Sequence, residues 1–170
     1  QHEYLAGLFG AGYAATEGRS FTFAWSKAVE ALEGGKPPVL GPLDMFHLPF
    51  YEGLYHRRHV PIHYVLLAGV DGETASVYDT GHAGVQTLTL DELRLAWDVN
   101  VPGQGKRNRV AVFDLPDSLP DAGGLVRQSV ADQCRTMLTP PVKLLGIPAM
   151  ERLAKDLPGW PAELGDDVAA

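Results

Sequence analysis

"HVPIHYVLLAGVDGETASVYDT", residues 59–80, sets the frame for the rest of the chain. Ile62 to Val70 is an almost unbroken apolar run, predicted to be a central strand covered on both faces. Asp71, Gly72 and Glu73 supply turn chemistry, and Thr74 to Tyr78 returns as the hairpin partner. In such a hairpin the start of one strand lies beside the far end of the other, so His63 and Asp79 come within reach on one face. A carboxylate beside an imidazole fixes the ring's tautomer and favours its charged form. A general base serving a thiol or hydroxyl needs that arrangement. The structural reading makes His63 a core histidine satisfied by backbone and Asp79 the opening of the turn at Thr80 and Gly81. Spacing alone leaves both open.

Upstream, Leu5, Leu8 and Phe9 have helical spacing, but Gly7, Gly10 and Gly12 each cost about 1 kcal/mol relative to Ala, so Glu3 to Ala15 reads as a weak helix or an irregular lead-in. Phe23, Ala24, Ala28, Ala31 and Leu32 share a helical face, and Gly34 with Gly35 stops that helix near Glu33. "KPPVLGPLDMFHLPF" begins a strand that breaks early, because Pro37, Pro38 and Pro42 cannot donate to a central ladder. Tyr51 to His59 reads as a loop. Downstream come a short strand at Gln86 to Leu88 and a helix to about Asp98, which Thr89 and Glu92 open as a capping box. Arg109 to Phe113 is the last strand. "DLPDSLPDAGG" is a linker, followed by helices at Leu125 to Leu138 and Ala149 to Leu157 and a polar tail. The predicted organisation is therefore an α+β body, residues 1–115, and a helical appendage, residues 116–170.

At 170 residues the chain is long enough to bury a core without staples. A formal net charge of −7 argues against nucleic-acid or anionic-membrane partners. Arg57, Arg58, Lys106, Arg107 and Arg109 are locally basic; they read first as solvated loop charges, and otherwise as a surface for an acidic partner. No apolar run is long enough to cross a bilayer and no secretion signal is visible. With Cys134 the only cysteine, no internal disulfide is available, and a reducing cytoplasm is the expected setting. His56, His59 and His63 fall at intervals of three and four, which on a helix would gather zinc ligands, but Pro61 and the β-rich run after it argue against a helix. No metal and no cofactor is expected.

"AWSKAVEALEGGKPPVLGPLDMFHLPFY", "HYVLLAGVDGETASVYDT" and "QTLTLDELRLAW" together resemble the N-terminal domain of the butirosin biosynthesis protein H family, acyltransferases related to papain-like and bacteriocin-leader peptidases. "ADQCRTMLTPPVKLLGIPAMERLAKDLPGW" is similar to the helical region that follows this domain, so the resemblance runs from Ala24 to Trp160. It implies a papain-like α+β fold and a Cys-His-Asp acyltransferase. A thiol takes an acyl group from an acyl carrier protein or another acyl thioester and passes it to a small-molecule amine. His63 matches the general base and Asp79 the residue that orients it. Asp44 and His47, in "DMFHL", match a segment that implies a role in lining the acyl or amine pocket.

The nucleophile departs from this pattern. A papain-like order puts the cysteine before the histidine, whereas Cys134 lies downstream, on an apolar stripe with Val126, Val130 and Met137 that reads as packing. Ser20 and Ser26 precede His63, but nothing in the sequence sets either in a strained turn or at a suitable helix start. The expectation is that the Cys-bearing lobe lies upstream of Gln1; a degenerate binding protein, or a cysteine on another polypeptide, are the other accounts. A papain-like peptidase, a scaffold or binding protein that keeps the fold without turnover, and a body whose His–Asp pair packs internally while function resides on the appendage are the competing readings, with a homo-oligomer possible as well.

Overall fold

The computed structural model describes residues 2–51 and 58–161. The elements in chain order are α1 (His2–Phe9), β1 (Gly12–Thr16), α2 (Phe21–Glu33), β2 (Val39–Leu43), a 3₁₀ turn (Met45–His47), β3 (His63–Asp71), β4 (Thr74–Tyr78), β5 (Val85–Thr89), α3 (Leu90–Trp97), β6 (Val110–Asp114), α4 (Ala122–Leu138), α5 (Gly146–Asp156) and a second 3₁₀ turn (Leu157–Gly159). The fold is mixed α+β: one antiparallel six-stranded sheet in the order β1-β6-β2-β3-β4-β5, with five α-helices among the described residues. Contacts divide the chain after Asp117 into two compact units.

The hairpin sits where its residues put it. Asp71 pairs with Thr74 across a two-residue loop, and Gly72, at φ 57°, takes the first loop position, where a type II′ turn needs a positive φ. Beyond it Leu67 faces Val77 and Leu66 faces Tyr78. β3 is internal to the sheet, but the expectation that both its faces are covered fails: Val65 and Leu67 are buried while Ala68 and Val70 are exposed. One core holds the buried side chains. Ala24 and Ala28 of α2 and Leu93, Ala96 and Trp97 of α3 pack with Leu40, Leu43, Val65, Leu67, Ala75, Val77, Leu88 and Val110 of the strands.

Two other elements differ from the sequence reading. Gly12–Thr16 is an edge strand, not the tail of a weak helix, because β6 offers it a complete antiparallel partner from Val110 to Asp114. β2 lies between β6 and β3 despite its prolines. Pro37 and Pro38 precede the ladder, and Pro42 falls in the irregularity between Leu40 and Leu43, where no amide is demanded. Thr89 and Glu92 form the capping box on α3, with the Thr89 amide donating to Glu92 Oε2 at 2.7 Å.

The second unit contains α4 and α5. α4 begins at Ala122, inside the expected linker, because the Asp121 carboxylate accepts the Gly124 amide at 2.6 Å and carries the helix through two glycines. None of its described residues is buried, so Cys134 is exposed rather than packed, and Val126, Val130 and Met137 beside it are exposed as well.

Candidate active site

His63 and Asp79 meet. Continuing the β3–β4 register past Leu66 and Tyr78 sets Asp79 across from Val65 and diagonal to His63, all on the core-facing side. Gly41 helps bring His63 there: at φ 146° it lets β2 run so close that a Cβ would sit 2.6 Å from the His63 carbonyl oxygen. His63 Nε2 donates to Asp79 Oδ2 at 2.6 Å. The Asp79 side chain is fully buried, whereas His63 keeps 17% of its side chain exposed. With Nε2 donating to a carboxylate, the neutral ring carries its lone pair on Nδ1, and no described residue hydrogen-bonds that atom.

Both readings of Asp79 hold at once. Oδ1 accepts the Gly81 amide at 2.7 Å, the Asx turn of the structural reading, while Oδ2 holds the imidazole. Gly81 fits closely there, since a Cβ would stand 2.8 Å from the Tyr51 hydroxyl. Burial pushes the Asp79 carboxyl up, but the Gly81 amide, the hydrogen bond and charge of His63 and the Tyr51 hydroxyl together hold it below the ordinary value of 3.8. A carboxyl lowered by folding stabilises fully above its unfolded value and loses that contribution as pH falls through its folded value. Urea midpoints measured from about pH 5 downward should therefore fall less steeply below about pH 4 in Asp79→Asn than in the parent chain. Equal slopes would show that the carboxylate is not held in this way.

Two partners escaped the sequence reading. Tyr51, read only as loop, donates its hydroxyl to Asp79 Oδ2 at 3.2 Å and sits edge-on to both His63 and His82. His82 donates Nε2–H to the Phe50 carbonyl at 2.9 Å, which leaves Nδ1 buried without a hydrogen-bond partner, 3.9 Å from Asp79 Oδ2. The carboxylate thus lies between two imidazoles. The available signal for His82 was its position three residues after Asp79; nothing local pointed to Tyr51.

Asp44 and His47 occupy a separate cluster. Asp44 Oδ1 accepts the Phe46 and Val60 amides at 3.1 and 2.9 Å, and Oδ2 accepts from His59 Nδ1 at 2.6 Å. Burial pushes this carboxyl up, and the His59 and backbone hydrogen bonds outweigh it to leave it lowered. The His59 ring stacks on Phe46, with centroids 4.4 Å apart, and His47 packs beside it. The three-histidine spacing therefore separates: His63 serves Asp79, His59 serves Asp44, and His56 lies outside the described residues.

The basic group also divides. Arg57 lies outside the described residues, Arg58 and Lys106 are exposed, and Arg107 faces Asp98 at 3.9 Å. Arg109 is largely buried against Glu17, Tyr13 and His2. Ser20 caps α2 and Ser26 donates to the Phe23 carbonyl, so both hydroxyls are engaged with their own helix; Ser20 does stand at a helix start, which the sequence did not reveal.

A hydrogen-bonded imidazole and carboxylate with one free ring nitrogen can accept a proton from a thiol, hydroxyl or amine brought to Nδ1. Residues 2–80 match the family described as butirosin biosynthesis protein H, N-terminal. That butirosin-family match contains His63, Asp79, Tyr51 and the Asp44 cluster, and stops before His82. Residues 91–170 match a domain of unknown function, DUF4872. The second match starts within α3, so it spans β6 of the sheet as well as the helices of the second unit. No curated protein and no solved structure matches the chain. Among the described residues no helix is long and apolar enough to cross a membrane.

Proposed function

We propose that this chain carries the base half of a papain-like, amide-forming acyltransferase in natural-product biosynthesis. The observation behind this reading is the His63–Asp79 pair, with Nε2 fixed on a buried carboxylate and Nδ1 free. His63 Nδ1 takes the proton of a cysteine thiol. The thiolate attacks the carbonyl of an acyl thioester, and the carrier thiol leaves with the proton that His63 returns. An amine then attacks the acyl-cysteine; His63 accepts the amine proton and hands it to the departing cysteine sulfur, giving an amide and the free thiol. Asp79 holds the ring's orientation and stabilises the imidazolium. His47 contributes to the pocket wall, and Asp44 acts by fixing the turn that carries it. Exposed Arg58 and Lys106 suit the acidic surface of an acyl carrier protein.

On this reading the thiol precedes the histidine in papain-like order, and no cysteine precedes His63 in these residues, so a segment encoded ahead of Gln1 or another polypeptide supplies it. The test expresses the chain with any segment encoded ahead of Gln1 and incubates it with an acyl thioester and an amine, following intact mass and product. A thioester-linked acyl adduct and an amide product support the reading. Peptide cleavage without amide formation favours the peptidase alternative, and no adduct and no product favours a binding protein; either overturns it.

A further inference from the structure

Asp44, His47 and His59 take no part in the His63–Asp79 pair. One carboxylate oxygen and one ring nitrogen from each histidine lie within 4.8 Å of one another. We propose that these three side chains bind a divalent transition-metal cation of the zinc type. Two imidazoles and a carboxylate suit such an ion, whereas calcium and magnesium favour oxygen ligands throughout. A tetrahedral ion with bonds of about 2.0–2.1 Å holds its ligand atoms roughly 3.4 Å apart, so a pair at the 4.8 Å limit has to close by about 1.4 Å, while His59 Nδ1 and Asp44 Oδ2, 2.6 Å apart, have to open by about 0.8 Å.

The side chains are suited to that adjustment. Asp44 is the fixed member: the Phe46 and Val60 amides hold Oδ1 and leave Oδ2 directed at the cluster, the kind of outer support that orients metal-binding carboxylates. His59 is the accessible one, with 67% of its side chain exposed, and an ion entering between its Nδ1 and Asp44 Oδ2 replaces one hydrogen bond with two metal bonds. Three protein ligands leave a fourth position open to water or to a donor atom from a bound molecule. Along the chain, the ion ties the turn after β2 to the approach to β3, on either side of Tyr51. The spacing of His56, His59 and His63 hid this site, because two of its three ligands come from the turn instead.

Metal-stripped protein titrated with Co²⁺ is expected to show the visible absorption of a tetrahedral complex, saturating at one equivalent, and Zn²⁺ should displace it. His47→Ala leaves the Asp44–His59 hydrogen bond in place and should weaken binding at least about tenfold, as should His59→Gln, whereas His63→Ala should leave it unchanged. No stoichiometric uptake, affinity unaltered in both His47→Ala and His59→Gln, or loss only in His63→Ala overturns the site. None of these readouts needs a thiol or an acyl thioester, so the outcome is independent of the acyltransferase reading.

Discussion

His63→Gln is expected to lower the rate of amide formation by about a hundred- to ten-thousandfold while leaving the fold intact. Glutamine is the informative replacement because its side-chain amide can still donate to Asp79 Oδ2, as Nε2–H does at 2.6 Å, yet it has no basic nitrogen to offer a thiol. The buried carboxylate then keeps partners in Gly81 and Tyr51 and is not left as an unpaired charge. Asp79→Asn should lose activity on a similar scale for a different reason. An asparagine amide directed at Nε2 favours the tautomer with its proton on Nδ1, which takes the lone pair off the nitrogen that has to accept the thiol proton. Rates come from amide product quantified by mass spectrometry, with circular dichroism confirming the fold. A His63→Gln protein that still turns over within a few-fold of the parent would remove the imidazole from the chemistry and with it the proposed function.

The part of this arrangement legible in the sequence is the local part. The β3–β4 hairpin is written in an apolar run and its shorter return around Gly72, which brings the start of β3 toward the residue after β4; the register shift between Leu67 and Gly69 and the close approach of Gly41 to His63 are not written there. The α3 start is likewise local, because Thr89 and Glu92 satisfy one another within one turn. Features that depend on distant partners were not legible. Gly12 to Thr16 is short and rich in small residues and becomes a strand only because β6, near the other end of the body, pairs with it. The prolines of β2 suggest an edge until the irregularity between Leu40 and Leu43 absorbs Pro42. Tyr51 reaches Asp79 from a loop, and His59 reaches Asp44 across a stretch whose length gives no hint of closure. In the second unit the apolar stripe of α4 suggested packing for Cys134, but the unit buries none of its described residues.

Trp97→Ala is expected to cost about 3–5 kcal/mol, the largest stability loss of any single change considered for this body. Trp97 is fully buried at the end of α3, edge-on to Phe21 of α2 and within the cluster that includes Leu40 and Leu43 of β2. Truncation there opens a cavity where two helices meet the sheet. It also removes a hydrogen bond, since Trp97 Nε1–H donates to the Arg109 carbonyl at 3.1 Å. That carbonyl also accepts the Gly41 amide at 3.2 Å, so it keeps one partner when the indole is gone, and the loss should come mostly from packing. Trp97→Phe separates the two contributions: it retains most of the ring volume, forfeits the donor, and should cost about 1–2 kcal/mol. Against a total stability of roughly 5–15 kcal/mol, the alanine variant should lower the urea midpoint by a large fraction of its value, and the phenylalanine variant by a much smaller one. Equal costs for the two would mean that the indole hydrogen bond rather than the packed ring secures α3. A cost below about 1 kcal/mol for alanine would mean that α3 is not part of the core that holds β2, and through Gly41 the backbone of His63, in place.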